Sequence, residues 1–169
     1  ERQRMSYCEK CGTLLVERFL ENEGMIPYCE HCGQYRFPMF NTAVSMVVYS
    51  PDHSKILLIQ QYGKARNILV AGYVNNVESA EEAVVREVKE ETGLTVVDYR
   101  FNKSEYFAKS NTLMVNFACT VDSEAFALRK GEVDRAGWFS VEEARAQIYH
   151  DSLAEKFLLS AIEKRLYQA

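Results

Sequence analysis

The alternation of apolar and polar positions divides most of the chain after residue 40 into strands and helices. Strand-like apolar runs occupy five segments, at residues 41–50, 55–62, 95–101, 113–121 and 137–139. Apolar residues at helical spacing predict three helices, over residues 80–92, 141–148 and 153–166. Because helices alternate with strands, we expect an α/β fold in which helices cover both faces of a mixed sheet, an α/β/α sandwich.

The helix over residues 80–92 is predicted by its ends as well as by its middle. Ser79 and Glu82 form a capping-box pattern, and Gly93 stands where a left-handed residue ends a helix. An apolar stripe at helical spacing supports the same assignment, and it consists of Ala80, Ala83 or Val84, and Val88.

Three acidic residues of this helix, Glu87, Glu90 and Glu91, fall on one helical face. Like charges at this spacing are unfavourable by a few tenths of a kcal/mol per pair. The cluster therefore indicates a bound cation, and hard divalent ions such as Mg2+ prefer carboxylate ligands. The alternative is an ordinary amphipathic helix with a solvated acidic side, which is the usual meaning of a charge run.

The segment around this helix resembles the Nudix box at every defined position over 23 residues. The matching residues are Gly72, Glu78, Arg86, Glu87, Val88, Glu90, Glu91, Gly93 and Leu94. The resemblance implies a Nudix α/β/α sandwich and a hydrolase that splits a diphosphate linkage in a nucleoside diphosphate derivative, with Mg2+ or Mn2+ as cofactor. Such chemistry needs concentrated positive charge beside the phosphate oxygens, which metal-binding carboxylates provide.

The resemblance also implies roles for individual residues of the box. Glu87 and Glu91 would be the main metal ligands, Glu90 would ligate metal or activate water, and the backbone carbonyl of Ala71 would complete the metal shell. Arg86 would orient the glutamates, because a planar guanidinium binds carboxylates in a bidentate manner.

Two further acids extend this candidate site. Glu78 would anchor the loop to the helix. Glu132 resembles the distant acid that many Nudix enzymes place before a strand ending in Trp-Phe, and the resemblance makes it a candidate ligand of the Mg2+ or Mn2+ ion. A lone glutamate is often merely solvated, so Glu132 has that alternative as well. The general base stays open between Glu90, Glu91 and Glu132.

Two cysteine pairs lie near the start of the chain, Cys8 with Cys11 and Cys29 with Cys32, separated by 17 residues. This spacing is typical of a zinc ribbon, and each pair is followed by glycine. A pair of redox motifs is the competing interpretation. Four thiolates fill a tetrahedral site, which predicts structural Zn2+ and leaves His31 as an exposed neighbour rather than a ligand.

A zinc ribbon followed by a Nudix box resembles the NAD(H) pyrophosphatase branch, whose members cut NADH into NMNH and AMP and can remove NAD caps from RNA. This resemblance divides the chain into a ribbon at residues 1–38 and a Nudix domain at residues 39–169. Phe37 and Tyr73 become candidates to stack on a substrate base. Their alternative role is to fill the core near a domain junction.

The chain departs from this branch after the box. The branch signature reads roughly S-Q-P-W-P-F-P-x-S, whereas residues 104–112 read S-E-Y-F-A-K-S-N-T. Glu105 stands where a glutamine is expected, Phe107 keeps an aromatic position, and both are candidate substrate contacts. ADP-ribose, FAD or diadenosine polyphosphates are therefore alternative substrates. A different class of function, a non-catalytic nucleotide sensor, is disfavoured because all three box glutamates are present.

Charge and composition bear on the partners. The net charge is −4, and residues 1–38 carry five Lys or Arg against six Glu, so we expect a small nucleotide substrate and no broad binding to nucleic acid. The sequence contains no run of 18 apolar residues, so it predicts no membrane-spanning helix. Thiolate pairs favour a reducing compartment, which predicts a cytoplasmic protein. The fifth cysteine, Cys119, lies in an apolar run and is predicted to be a small buried hydrophobic residue. Similarity alone suggests a homodimer.

Overall fold

The computed structural model describes residues 6–168 and separates into two compact units. The first unit runs up to Met39, and the second begins at Phe40. The predicted boundary, between residues 38 and 39, lies one residue earlier. The two units are described separately below.

The first unit is a small antiparallel sheet of three strands in the order β1-β2-β3. Its strands are β1 (Val16–Leu20), β2 (Gly24–Cys29) and β3 (Gln34–Tyr35). Each cysteine pair ends in a tight turn closed by a glycine. Gly12 has φ 73° and Gly33 has φ 67°, a left-handed conformation that glycine adopts without steric cost. The amide nitrogens of these glycines donate to the carbonyls of Cys8 and Cys29 at 2.8 Å.

The second unit contains a six-stranded mixed sheet with the order β7-β8-β4-β5-β9, in which β6 also pairs with β4. The strands are β4 (Asn41–Tyr49), β5 (Lys55–Gln61), β6 (Val70–Tyr73), β7 (Val96–Phe107), β8 (Thr112–Val121) and β9 (Val133–Ser140). Strands β4 and β8 are parallel, and the other pairs are antiparallel. The helices are α1 (Ala80–Thr92), α2 (Val141–Gln147) and α3 (Leu153–Glu163), with a 3-10 turn at Ala108–Ser110. None of the helices in the described chain is long and apolar enough to cross a membrane.

Strand β4 shows how the sheet separates two cores. Val44 and Met46 pack on one face with Val84 of α1, whereas Val47 packs on the other face with Leu158 of α3. Alternate residues of a strand point to opposite faces, so the continuous apolar run of β4 supplies both cores at once. This arrangement confirms the predicted α/β/α sandwich.

The local signals for α1 are all satisfied. The backbone nitrogen of Glu82 donates to the Ser79 hydroxyl at 3.1 Å, and the Ser79 nitrogen donates back to the Glu82 carboxylate at 2.8 Å. Gly93 ends the helix with φ 74°. Ala83 and Val84, the two alternatives for one position of the apolar stripe, are both buried. The predicted helix, residues 80–92, is confirmed at both ends.

Two predicted C-terminal ends were wrong by three residues or more, and β9 begins at Val133 rather than at residue 137. Strand β7 was expected to end at residue 101, but it continues to Phe107 because residues 103–107 pair with β8 beyond a bulge. Helix α3 was expected to reach residue 166, but it ends at Glu163. Arg165 and Tyr167 have positive φ values of 52° and 60°, and Tyr167 turns inward and is buried.

Candidate active site

Glu87 lies on the buried side of α1, with 8% of its surface exposed. Its carboxyl group occupies the space over Gly72 in β6, where a Cβ atom on residue 72 would collide with it. Burial raises the pKa of Glu87, although the guanidinium of Arg86 opposes the shift. The glycine of the box is therefore a steric requirement of the glutamate.

Glu91 is buried more deeply, with 1% exposed. The side-chain amide of Gln61 at the end of β5 lies 3.4 Å from both carboxylate oxygens. Burial, followed by the negative charges of Glu132 and Glu87, raises the pKa of Glu91 to about 8. The site thus holds a carboxyl group whose ionised form needs an additional positive charge.

Arg86 connects the loop before α1 to these acids. Its guanidinium binds Glu78 through two hydrogen bonds, at 2.6 and 2.9 Å, and donates to Glu87 at 2.6 Å. The same side chain donates to the backbone carbonyl of Tyr73 at 3.0 Å. Hydrogen bonds from Arg86 and from the amide of Asn75 lower the pKa of Glu78 to about 2. Glu78 is therefore a permanent anion that fixes the guanidinium.

The structure brings the distant acid Glu132 to the box. The Arg129 guanidinium lies 3.4 Å from the Glu90 carboxylate and 3.2 Å from the Glu132 carboxylate. The Tyr62 hydroxyl lies 3.4 Å from the other oxygen of Glu132. Arg129 and Tyr62 were not predicted, because neither belongs to the box and only the fold brings them to it.

The donor chemistry fits a hard divalent cation. Carboxylate and carbonyl oxygens are the ligands that Mg2+ and Mn2+ prefer. Glu87 and Glu91 are buried carboxyl groups with raised pKa values, so a divalent ion offers the charge compensation that the protein supplies only in part. The carboxylates of Glu87, Glu90 and Glu132 pair with arginines in this arrangement, and no three of the described carboxylates converge within 4.8 Å.

A cavity of about 530 Å3 adjoins the acids, since Gln61 and Ala71 form part of its wall. The predicted contact Phe107 also lines it. A positive charge and an aromatic ring are present as well, because the Arg66 guanidinium lies 4.5 Å from the centre of the Tyr149 ring and both residues line the cavity. None of the described residues that line this cavity is acidic. Arg66 and Tyr149 lie in separate loops and carried no sequence signal.

The other predicted substrate contacts lie elsewhere. Tyr73 is 57% exposed and lines a separate cavity of about 360 Å3. Glu105 forms an ion pair with Lys156 of α3 at 2.8 Å. Phe37 is 54% exposed and lines a cavity of about 320 Å3 within the first unit. The core-filling alternative is therefore wrong for both Phe37 and Tyr73, while their stacking roles stay predictions.

The four ribbon cysteines converge on one point. The Sγ atoms of Cys8 and Cys32 are 3.9 Å apart, those of Cys11 and Cys29 are 3.5 Å apart, and all four lie within 4.8 Å of one another. Tetrahedral zinc with Zn–S bonds of about 2.3 Å requires sulfur–sulfur separations of about 3.8 Å. The sulfurs therefore fit a structural Zn2+ with a closed shell, as the spacing predicted.

Other ribbon residues support this assignment. The Arg36 side chain donates to the Cys8 sulfur at 3.3 Å. Burial acts to raise the pKa of Cys8, but hydrogen bonds from Arg36 and from backbone amides outweigh it and lower the pKa. His31 is exposed, as expected of a non-ligand. In the second unit, Cys119 is buried in the core and confirms its predicted role.

Residues 39–159 match the family model described as NUDIX domain. The chain belongs to the Nudix family. This match, together with the cysteine cluster, confirms the resemblance that the box and the ribbon carried.

Among curated relatives, the chain is 36% identical over 118 residues to a protein named NAD-capped RNA hydrolase NudC from Mycobacterium tuberculosis (strain ATCC 25177 / H37Ra), an alignment that covers 69% of this chain and 38% of the relative. A protein of the same name from Haemophilus influenzae (strain PittGG) is 27% identical over 162 residues, which cover 93% of this chain and 60% of the relative. The chain thus spans less than two thirds of the length of these relatives.

Among solved structures, the crystal structure of a NUDIX hydrolase from Nitrosomonas europaea matches with a TM-score of 0.70. The alignment covers 96% of this chain and 93% of that chain at 19% identity. At this identity the likeness shows the fold alone, and it confirms the Nudix sandwich.

Proposed function

We propose that this Nudix protein is a pyrophosphohydrolase that uses Mg2+ or Mn2+ to cleave the diphosphate bond of NADH or NAD+, giving NMN(H) and AMP. The observation that carries the proposal is the pair of buried glutamates, Glu87 and Glu91, next to a cavity lined by Ala71, the residue that precedes the box glycine. The name shared by the curated relatives supports a nicotinamide dinucleotide as substrate.

Glu87, Glu91 and Glu90 would hold the cation together with the Ala71 carbonyl. Such an ion would supply positive charge beside the diphosphate oxygens and would lower the pKa of the attacking water. Arg86 keeps Glu87 in place, because its two hydrogen bonds to Glu78 leave one NH group aimed at Glu87. This preorganisation spares the glutamate a reorientation during the reaction.

We assign the role of accepting a proton from the attacking water to Glu90 or Glu132. Both contact the exposed guanidinium of Arg129 and both are more exposed than Glu87 and Glu91. In the reaction, the water oxygen forms a bond to one phosphorus, the bridging P–O bond breaks, and the second phosphate leaves with the bond electrons. The proton passes to the carboxylate, which returns it to solvent.

The cavity would hold the nucleoside half beside the cleaved bond. Phe107 and Tyr149 offer aromatic faces, and stacking of a base on such a face contributes about 1 to 3 kcal/mol. Arg66 and Lys64 line the same space and provide positive charge for phosphate. Such a lining suits one mononucleotide half of a dinucleotide.

The test is product analysis with a panel of NADH, NAD+, ADP-ribose, FAD and diadenosine tetraphosphate in Mg2+ or Mn2+. We expect AMP and NMNH from NADH, with one oxygen from 18O-labelled water in a product phosphate. Glu91→Gln should lower kcat/KM about a hundredfold or more, because removing even an outer partner of a metal ligand costs 10- to 100-fold. Turnover of another panel member would reassign the substrate, and turnover of none would favour the sensor alternative.

An NAD-capped oligoribonucleotide belongs in the same panel because of the relatives' printed name. We propose that the free dinucleotide is preferred, since the ribbon sequence has no excess of positive charge for an RNA backbone. A larger kcat/KM for the capped RNA, falling steeply with added salt, would contradict this preference.

A further inference from the structure

A chain of buried polar side chains crosses the sheet of the second unit from α3 to β4. The Ser160 hydroxyl donates to Asn102 Oδ1 at 3.0 Å, Asn102 Nδ2 donates to Asn116 Oδ1 at 2.9 Å, and Asn116 Nδ2 donates to Ser45 Oγ at 3.1 Å. Ser45, Asn102 and Asn116 are 3%, 1% and 0% exposed. Neutral polar groups at this depth are costly unless they are paired, and this chain pairs them in sequence.

Backbone carbonyls fix the direction of the chain. Asn116 Nδ2 also donates to the Ser45 carbonyl at 3.0 Å, and Asn102 Nδ2 also donates to the Phe157 carbonyl at 2.9 Å. A carbonyl only accepts, so each amide must present its NH2 group to that side. Within this chain of hydrogen bonds the Ser45 hydroxyl oxygen is therefore an acceptor. The hydroxyl hydrogen of Ser45 stays available to donate to another partner.

Three serines line the cavity beside the box, and they differ in this respect. The Ser110 hydroxyl donates to Thr112 Oγ1 at 2.9 Å, and the Ser152 hydroxyl donates to the Tyr149 carbonyl. Within residues 6–168, the Ser45 hydroxyl donates to no protein group and only accepts. Ser45 is also the β4 partner of Ala71 in the β4–β6 register, which places it next to the box.

We propose that Ser45 is a specificity-determining hydrogen-bond donor for the substrate base in this cavity. The proposal rests on the proposed function, because that function places a nucleoside in the cavity. The side chains hydrogen-bonded in series behind Ser45 are uncharged, and the cavity wall also includes Met114 and Phe157. A neutral planar acceptor therefore suits the position better than a phosphate. The acceptor is a ring nitrogen or a carbonyl oxygen of the base.

The experiment measures AMP and NMN binding by calorimetry in Mg2+, and NADH turnover, for the unaltered protein, Ser45→Ala and Ser110→Ala. Ser110→Ala is the matched control, because Ser110 lines the same cavity but its hydroxyl already donates a hydrogen bond to Thr112. A neutral hydrogen bond contributes about 0.5 to 1.5 kcal/mol, so Ser45→Ala should weaken binding of one mononucleotide about 3- to 10-fold. The KM for NADH should rise by a similar factor while kcat changes little. Ser45→Cys keeps the volume with a weaker donor and should lie between.

Analogues identify the contact. A mononucleotide that lacks the accepting atom, such as one of the deaza forms of AMP or an NMN analogue without its carboxamide, should bind equally to the unaltered protein and Ser45→Ala. Equal losses in Ser45→Ala and Ser110→Ala, or no loss in either, would overturn the proposal. Thermal melting of each variant verifies the fold, and Ser45→Cys carries the comparison where Ser45→Ala is unfolded.

The outcomes separate this inference from the proposed function. Mononucleotide binding that depends on Ser45 without turnover of any dinucleotide would refute the hydrolase and keep the donor. NADH turnover with a KM that is the same in Ser45→Ala would keep the hydrolase and refute the donor. Absence of both binding and turnover in the unaltered protein would refute both.

Discussion

Gly72 and Glu87 share one small space in the candidate active site. The box glycine leaves room for the carboxyl group, which is buried against the strand and held by Arg86. The sequence motif records the two residues 15 positions apart without giving a reason for the pairing. The structure supplies that reason, because a methyl group on residue 72 and the Glu87 carboxyl group cannot occupy the same place.

Replacing Gly72 with alanine should therefore damage both stability and activity. Overpacking of a buried site costs about 1 to 3 kcal/mol, and the displaced carboxylate should lower kcat/KM. Urea unfolding and NADH turnover measure the two effects. In the double variant Gly72→Ala with Glu87→Ala, stability should recover because the collision is gone, whereas activity should not. A stable and fully active Gly72→Ala protein would contradict this account.

The raised pKa of Glu91 predicts how the second unit responds to pH without Mg2+ or Mn2+. The folded pKa of about 8 lies above the ordinary value of 4.5, so the folded state holds a proton that the unfolded state has lost between these values. Stability should fall as pH rises from about 4.5 through 8, and this contribution should be constant above 8. Glu91→Gln cannot ionise and should lose that slope.

Melting temperatures of the unaltered protein and Glu91→Gln between pH 5.5 and 8.5 test this prediction in buffer without Mg2+ or Mn2+. The difference between the two proteins should grow in favour of Glu91→Gln as pH rises. Added Mg2+ should reduce that difference, because only the glutamate gains a bound cation. Parallel melting curves across this range would show that Glu91 ionises normally in the folded protein.

At the scale of elements, helix α1 was predictable because its signals are local. The capping box and Gly93 act within a few residues, so their consequences do not depend on the rest of the fold. The ends of β7 and α3 depend on distant partners instead. Residues 103–107 extend β7 because β8 pairs with them. Beyond the end of α3, the Tyr167 hydroxyl donates a hydrogen bond to Asp98 at 2.6 Å.

The Ser79 cap should hold the acid-bearing helix in place. Ser79→Ala removes the side-chain acceptor for the Glu82 amide, and loss of such a cap costs about 1 kcal/mol. Urea unfolding should show a lower midpoint with an unchanged slope. Ser79→Asp replaces the hydroxyl with a carboxylate that can also accept this hydrogen bond. The free energy of unfolding of this variant should stay within about 0.5 kcal/mol of that of the original protein. An equal loss in both variants would mean that the cap bond does not cause the effect.

At the scale of the whole molecule, the sequence predicted the acids of the site but little of the cavity beside them. Glu87, Glu90 and Glu91 are close in the chain and share one helix face, whereas Gln61 and Tyr149 reach the cavity from separate loops and strand ends. Ser45 is inconspicuous in an apolar strand, and its free proton follows only from the orientation of Asn116. Such contacts depend on strand order and register, for which the chain carries no local pattern.

The two compact units differ in what stabilises them, and two cysteine variants, one in each unit, test this difference. The buried core clusters of the second unit draw on residues 44–167, while the described residues of the first unit, 6–39, form a short sheet and bring four thiols together. Cys29→Ser should lower zinc content from about one per chain toward zero and unfold the first unit, because metal binding replaces a core there. The helical circular dichroism should persist, since all three helices described belong to the second unit. Cys119→Ala is the matched control: it removes a cysteine from the core and should keep the zinc. Full zinc content in Cys29→Ser would show that this thiol is not a ligand, and loss of the helical signal would show that the second unit does not fold independently of the metal.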